Sequence, residues 1–405
     1  MKLFVLSTAY PEYIRQFYIK RPEAAGKGYA QQKAVLDYDS FGWADFWTHA
    51  LHSLGYDTMQ VTANVEPLQR AWAAENGMKD SGRLPLNRIA VEQVKRFKPE
   101  VLWFDDSNES LLKEIRSEVP SIRLVLGWVG SALSQTGVWR QIDLILSCAP
   151  ESVERLRQAG FRAEHLHHAF EPRIIERLAE RPASIGLSFI GQIIRGSQFH
   201  LEREHILEEL LVELELQIFS PSADITLLQE IKAVIRQLVY SGMSSAKAVG
   251  IPEELLRKLP KLGAAAGWKE RPLRPVNPKL KPHIKPPVFG LEMYQIIKDS
   301  KMTLNIHADS SPTFASNMRL YETTGVGTCL ITDWRQNIGE LFEPDKEIIT
   351  YSCPEECIEK VRYLTNHPGQ LRDIAKAGQA RTMKEHTFAH RAVQVDEIIS
   401  RRLRS

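Results

Sequence analysis

The sequence predicts an α/β protein of two doubly wound, Rossmann-like domains facing each other across a cleft. Two observations predict this. Short apolar strands alternate with helical stretches on both sides of residues 171–184, where Pro172 and Pro182 bracket a charged piece. The stretch KMTLNIHADSSPTFASNMRLYETTGVGTCLITDWRQNIGELFEPDKEIITY, Lys301 to Tyr351, runs strand, polar loop, helix, strand, which is half of a doubly wound unit. A length of 405 residues suits two domains, and 43% apolar residues suffice for two cores.

In the first half, strands are expected at Leu3–Ser7, Tyr56–Val61, Val101–Phe104, Ile122–Gly127, Leu144–Ser147 and Ala163–Leu166. Helices are expected at Phe41–Leu54, Leu86–Phe97, Leu111–Ser117 and Ser152–Gln158. The long aromatic segment from Thr8 to Asp39, with GKGY inside it, follows a strand end. It reads either as the lip of an acceptor pocket or as an extended surface loop with a local helix. GKGY lacks the frame of a phosphate-binding P-loop, and no G-x-G-x-x-G follows the first strand.

In the second half, Ile185–Ile190 and Leu214–Phe219 read as strands. Leu201–Glu213, Ala223–Tyr240, Pro252–Leu259 and Leu291–Ser300 read as helices. Seven prolines between 259 and 287 impose an extended path with interleaved lysines and arginines. Met302–Ile306 is a strand, Ser316–Thr324 a short helix capped by Ser311 or Ser316, and Thr328–Thr332 the next strand. Helices at Pro354–Thr365, Pro368–Lys384 and His386–Arg402 close the chain.

Ligands of open α/β sheets bind at the carboxyl ends of the strands. In the first half that edge collects Asp105, Asp106, Gly130, Ser131 and His168. The adjacent carboxylates offer a general base if burial or repulsion raises a pKa, or a cap for the following helix; His168 is a further catalytic candidate. In the second half the edge collects Gly191, Arg195, His200, Arg203 and His307, with Ser316 and Asn317 at the expected helix start. A helix N-terminus there suits a diphosphate. Arg319 and Glu322, three apart, share one helix face. They read as phosphate and ribose ligands, or as a solvent-exposed ion pair on a surface helix.

The segment SNMRLYETTGVG, Ser316–Gly327, resembles the donor-binding helix of the CgeB-like (spore maturation protein-like) glycosyltransferases. The likeness extends over Phe189–Gly191 and from Phe289 to Arg391, including ELFEPDKEIITY and GQARTMKEHTF. It implies a GT-B fold, with an acceptor-side domain at 1–175 and a nucleotide-sugar domain at 185–385. A terminal helix at 386–405 is then expected to pack back on the first domain. It further implies transfer of a sugar from a UDP-, GDP-, ADP- or dTDP-sugar to an acceptor hydroxyl on a glycan, a lipid-linked molecule or a small molecule. Glu322 is then the ribose ligand, with Gly191 and Arg203 beside the diphosphate. Retaining relatives carry a second glutamate eight residues earlier; here that position is Phe314, so the stereochemical outcome stays open. Rival readings are a nucleotide-sugar epimerase of the same fold and a non-catalytic scaffold.

A net charge of +2 argues against a nucleic-acid binder. MKLFVLSTAYPEY meets proline too early for a signal peptide, and no run of eighteen apolar residues spans a membrane, although peripheral contact stays open. Four cysteines form no disulfide framework and suit a reducing, cytoplasmic location. Cys353 and Cys357 have no second pair and read as structural, and no required metal or cofactor is expected.

Overall fold

The structure, a computed structural model, describes residues 1–79, 82–130, 137–195, 201–309 and 311–404. The first half runs β1 (Lys2–Ser7), α1 (Pro11–Lys20), α2 (Tyr29–Tyr38), α3 (Phe46–His52), β2 (Asp57–Thr62), α4 (Glu66–Glu75), α5 (Leu86–Phe97), β3 (Val101–Asp105), α6 (Glu109–Glu118), β4 (Leu124–Val129), β5 (Leu144–Ser147), α7 (Pro150–Gln158) and β6 (Ala163–His165). Its six strands are all parallel in the order β2-β1-β3-β4-β5-β6.

The second half runs β7 (Ile185–Ile190), α8 (Leu201–Glu213), β8 (Leu216–Phe219), α9 (Leu227–Ala248), α10 (Glu253–Arg257), β9 (Ile284–Lys285), α11 (Gly290–Lys298), β10 (Ser300–Asn305), α12 (Arg319–Gly325), β11 (Cys329–Asp333), α13 (Ile338–Leu341), β12 (Ile349–Tyr351), α14 (Pro354–Asn366), α15 (Pro368–Glu385) and α16 (Phe388–Arg404). Its parallel sheet has the order β12-β11-β10-β7-β8-β9. The sheets are therefore separate, as the alternation predicts. Inner strands such as Leu3–Leu6 and Val101–Trp103 are wholly buried because helices cover both faces.

Each sheet reverses its strand order once beside its first strand. In the first sheet the reversal lies between β1 and β3, where Ser7 is level with Asp105. In the second it lies between β7 and β10, where Phe189 is level with Leu304. Such reversals open a crevice at the carboxyl ends of the strands, where ligands bind.

One apolar cluster joins the halves, running from Leu3 and Trp103 through Phe170 to Tyr321 and Leu330. A Cβ on Gly325 would stand 2.3 Å from the Phe170 ring, so this helix end approaches the joint as closely as glycine permits. Helix α16 lies on α3: Phe388 meets Phe46 and Trp47 with ring centroids 5.1 and 5.0 Å apart. Tyr56 Oη donates to Asp396 Oδ1 at 2.6 Å, and Arg401 and Arg402 both pair with Glu164.

Several local expectations are corrected. Residues 8–39 are not an open loop: α1 and α2 fill most of it, because Tyr13 and Phe17 recur at helical spacing and are buried. Tyr13 stacks on Phe41 at 3.8 Å and donates to Asp39, and Lys20 reaches Glu292 in the second half. The helix expected from Phe41 begins only at Phe46, since Ser40, Gly42 and Ala44 all take positive φ. Helix α4 is an addition; Pro67 sits in its first turn and Leu68 and Trp72 face inward. Helix α9 starts at a Thr226–Gln229 capping box and runs far beyond Tyr240.

The most consequential change concerns residues 313–318. The helix expected from Ser316 starts at Arg319, and no serine caps it. Asn337 binds both the N–H and the C=O of Ala315 at 2.6 and 3.2 Å, while the Asn317 side chain turns back to Asn305. Those bonds hold the backbone away from a helical path until Arg319.

Candidate functional site

At the β7/β10 reversal the carboxyl-end loops are held by a connected set of buried polar groups. Asn317 Nδ2 donates to Asn305 Oδ1 at 2.8 Å, and Asn305 Nδ2 to Thr332 Oγ1 at 2.9 Å. His307 Nδ1 lies 2.7 Å from Asp333 Oδ1, and Arg335 pairs with the other Asp333 oxygen at 2.7 Å. Burial alone would raise the Asp333 pKa, but His307 and Arg335 hold it below the usual carboxylate value. Arg203, stacked over Phe189, donates to the carbonyls of Gln192 and Ile306 at 2.8 and 2.6 Å. It therefore ties the loop after β7 to the loop after β10. Burial lowers its pKa to about 10, with Asp333 and Asp309 opposing, and it remains a cation at neutral pH.

Arg319 and Glu322 stand at the same reversal. Their side chains pair at 2.7 Å, and Arg319 also reaches the Ile190 carbonyl at the end of β7. The pair is not solvent-exposed: Glu322 is only 5% accessible. Tyr294 Oη donates to its second oxygen at 3.3 Å. Burial and the Glu322 charge raise the Tyr294 pKa well above its ordinary value, so the phenol stays a donor. Two charge-assisted bonds thus fix the carboxylate in place, and its remaining lone pairs are free to accept from a ligand.

The grip on an anion expected from a helix N-terminus falls instead to the loop. The N–H groups of Thr313 and Phe314 both donate to Glu151 Oε1, at 3.0 and 2.9 Å, and Ser311 Oγ donates to Oε2 at 3.1 Å. Glu151 lies in the first turn of α7, in the other half of the chain. A carboxylate from one domain is therefore seated in a backbone N–H nest of the other. Beside it opens a cavity of about 820 Å³ lined by Glu151, Arg157, His165, Asp309 and Phe314. Asp309 Oδ1, His307 Nε2 and Arg335 Nε are buried at this edge with no hydrogen-bond partner among the described residues.

At the β1/β3 reversal, Asp105 ends β3. Burial, and then repulsion from Asp106, push its pKa up to about 7. Asp106 differs: its Oδ1 accepts the Asn108 N–H at 3.1 Å, and Asn108 rather than either aspartate caps α6. Backbone donors partly offset the rise that burial causes at Asp106. Tyr10, just past β1, feels both reversals. Desolvation of its hydroxyl, then the charges of Asp105 and Glu322, raise its pKa. The charges of the two carboxylates, one at each reversal, thus both act on the Tyr10 hydroxyl.

The remaining candidates separate into those near these edges and those away from them. Gly191 follows β7 directly and donates to the Phe219 carbonyl. Ser316 is buried with its Oγ 3.2 Å from Ser311 Oγ. Arg195 is committed elsewhere: its Nε bridges both Glu204 oxygens, and Nη1 reaches the Arg274 carbonyl. His168 lies against Trp128, with burial and Arg391 lowering its pKa to about 3, so at neutral pH it carries no proton to share as an imidazolium. Ser131 and His200 lie outside the described residues. Among the described residues no group of three or more His, Cys, Asp or Glu is placed to hold a metal ion. Cys357 is buried and Cys353 exposed.

Glu151 escapes sequence reasoning because an acid in the first turn of a helix is ordinary. Asp333 and Asn305 carry a fainter signal, as polar residues ending two apolar strands.

Residues 219–397 match the family described as glycosyl transferase-like. Among curated proteins no sequence matches the chain. In fold, the chain is similar to Anabaena HepE, solved with UDP-glucose, at 11% identity over 99% of both chains and a TM-score of 0.52. It is similar to the sucrose-phosphate synthase of Thermosynechococcus elongatus at 9% identity, over 99% of this chain and 98% of that one, with a TM-score of 0.51. A glycosyltransferase of Rickettsia africae matches at 8% identity over the same shares, with a TM-score of 0.52. At such identities the likeness establishes the fold, which is GT-B.

Proposed function

We propose a division of labour for this glycosyltransferase of GT-B fold: residues 185–385 hold the nucleotide-sugar donor at the β7/β10 edge. Residues 1–175 present an acceptor hydroxyl at the β1/β3 edge, and the terminal segment 386–405 braces the first domain. We place the chain in the CgeB-like branch, on the resemblance of Ser316–Gly327, and in the cytoplasm.

Glu322 accepts the ribose hydroxyls, Arg319 faces the diphosphate, and the N–H nest at Thr313 and Phe314 takes an anionic or hydroxyl oxygen of the donor in place of Glu151. Gly191 and Arg203 shape the loop beside the diphosphate. Asp105 is the general base. It takes the proton of the acceptor hydroxyl as that oxygen bonds to the anomeric carbon. The bond from that carbon to the diphosphate oxygen breaks, and the nucleoside diphosphate leaves with the electron pair. Cationic Arg319 and fixed N–H dipoles suit the developing charge on the leaving group. A carboxyl with a pKa near 7 is well matched to proton transfer at neutral pH.

What supports this reading is that Asp105 ends β3 at one sheet reversal while Arg319, paired with Glu322, reaches the end of β7 at the other, with the charges of both carboxylates acting on the Tyr10 hydroxyl. UDP-glucose, the ligand in the HepE structure, is the first donor to test. Released nucleoside diphosphate is measured with UDP-, GDP-, ADP- and dTDP-sugars and a panel of hydroxyl acceptors. The reading expects release with one preferred base; no release above background from any pair refutes it.

A further inference from the structure

Helix α9 is the least buried long element of the molecule. Leu228, Ile231, Ile235 and Leu238 follow a 3-4-3 spacing, which places them on one face, and they are 68%, 46%, 53% and 67% exposed. The opposite face is the one that packs. Ala233 and Met243 are buried, Tyr240 Oη donates to the Lys269 carbonyl, and Gln237 Nε2 donates to the Pro272 carbonyl at 2.9 Å. The helix is thus anchored from behind with an apolar stripe turned to solvent.

The exposure continues past the helix end. Leu255, Leu259 and Leu262 are 56%, 43% and 44% exposed and alternate with Arg257, Lys258 and Lys261. Across the described residues, eleven of the twenty-two exposed large apolar side chains lie between 228 and 273. The same segment carries the charge. Residues 227–262, α9 and the tip, hold six Lys and Arg against three Asp and Glu, a local net of +3 in a chain whose total is +2.

We propose that α9 and the 249–262 tip form a docking surface for a bilayer rich in anionic lipid. An apolar stripe flanked by Lys232 and Arg236 suits a helix lying in the plane of the headgroups, with its leucines in the acyl boundary. The surplus of positive charge meets the negative surface potential of such a membrane. It also disfavours a second copy of this chain as the occupant, because two such faces would repel. Among the described residues no helix is long and apolar enough to cross a membrane, so the contact is peripheral. The test of this surface needs no turnover.

The full chain is floated with vesicles of phosphatidylcholine alone and with vesicles also containing phosphatidylglycerol. Wild type is expected to bind the anionic vesicles about ten-fold more, and to lose that preference in high salt. Leu228→Ser/Ile235→Ser/Leu238→Ser and Lys232→Glu/Arg236→Glu/Lys258→Glu are each expected to cut binding about ten-fold. Their thermal midpoints should stay near wild type, since these side chains are more than half exposed or lie on the solvent side of the segment. Failure to bind anionic vesicles overturns the proposal. So does equal binding to neutral ones, or full binding by both variants. A concentration-dependent dimer abolished by the leucine variant would assign the face to a second copy and overturn it equally.

Discussion

At the β7/β10 edge most polar groups are already partnered with one another: Asn317 with Asn305, His307 with Asp333, Arg203 with two carbonyls, Glu322 with Arg319 and Tyr294. At the β1/β3 edge Asp105 has no side-chain partner among the described residues, and its pKa of about 7 reflects burial and a like-charged neighbour. The first edge is preorganised, with dipoles fixed before any ligand arrives. The second is sparse and keeps one carboxyl poised between its protonated and ionised forms. A donor nucleotide common to many reactions rewards a rigid site; proton transfer from an acceptor rewards a group whose charge can change.

The contrast breaks most sharply at Asp105. Asp105→Asn should lower turnover about 100-fold or more, within the range of a lost general base, while donor affinity stays unchanged. The wild-type rate should rise as pH increases through about 7, and the variant should lack that limb. Stability carries an independent signature. The folded-state pKa lies above its ordinary value of 3.8, so between that value and about 7 the folded chain holds a proton that the unfolded chain has released. Stability is lost as pH rises through this window. Asparagine removes that loss, so the variant should melt higher than wild type above pH 7 and equally near pH 4. Thermal melts across pH check this, and a constant difference would disprove the raised pKa.

Glu322→Gln tests the preorganised edge. Charge-assisted bonds from two ribose hydroxyls to a buried carboxylate contribute roughly 1.5–3 kcal/mol each. Losing the charge and one acceptor should weaken nucleoside-diphosphate binding about ten-fold. It should also erase the preference for ribose over deoxyribose. Titration calorimetry with both sugars distinguishes this from simple damage to the Arg319 pair, which would weaken both nucleotides equally.

The two arginines near β7 sharpen the same comparison. Arg203→Lys loses the fork that spans the Gln192 and Ile306 carbonyls. It should lower donor affinity about five-fold and the melting point with it, at roughly 1 kcal/mol per lost bond. Arg195→Lys should leave affinity within about two-fold, because that side chain serves Glu204 and the Arg274 carbonyl rather than the cleft. An equal loss in both variants would show that Arg195 does reach the donor.

Much of this was legible in the residues. Apolar strands covered on both faces are unmistakable, and β5, β7, α5 and α8 fall where the sequence places them. Asp105 could be picked out because it follows a recognisable strand, and Glu322 because it shares a helix face with Arg319 in a segment that resembles a donor-binding helix. The segment 8–39 holds two helices where one local helix was expected, because the helical spacing of Tyr13 and Phe17 competes with proline and glycine signals nearby. The start of α12 was misplaced because Asn337, more than twenty residues away, supplies the bonds that keep Ala315 out of a helix. Long-range partners of that kind leave no local mark. Glu151 is the extreme case, since its significance lies wholly in which loop it meets.

That meeting gives the smallest effect expected of a variant that changes donor affinity. The Thr313 and Phe314 N–H groups each offer one hydrogen, and both now point at Glu151 Oε1. A donor oxygen that uses this nest must displace the carboxylate, whose bonds to it are charge-assisted. Glu151→Gln keeps the size but exchanges an ion for a neutral acceptor, so the occupant leaves more readily. The interdomain latch should therefore loosen and affinity for the nucleotide sugar rise about three-fold, a gain of roughly 0.7 kcal/mol. Affinity for the nucleoside alone, which has no group to place in the nest, should not change. The opposite result, weaker binding of the whole donor, would mean that Glu151 shapes the loop for its ligand instead of occupying the ligand's place. Calorimetric titration of Glu151→Gln with a nucleotide sugar and with its nucleoside decides between them.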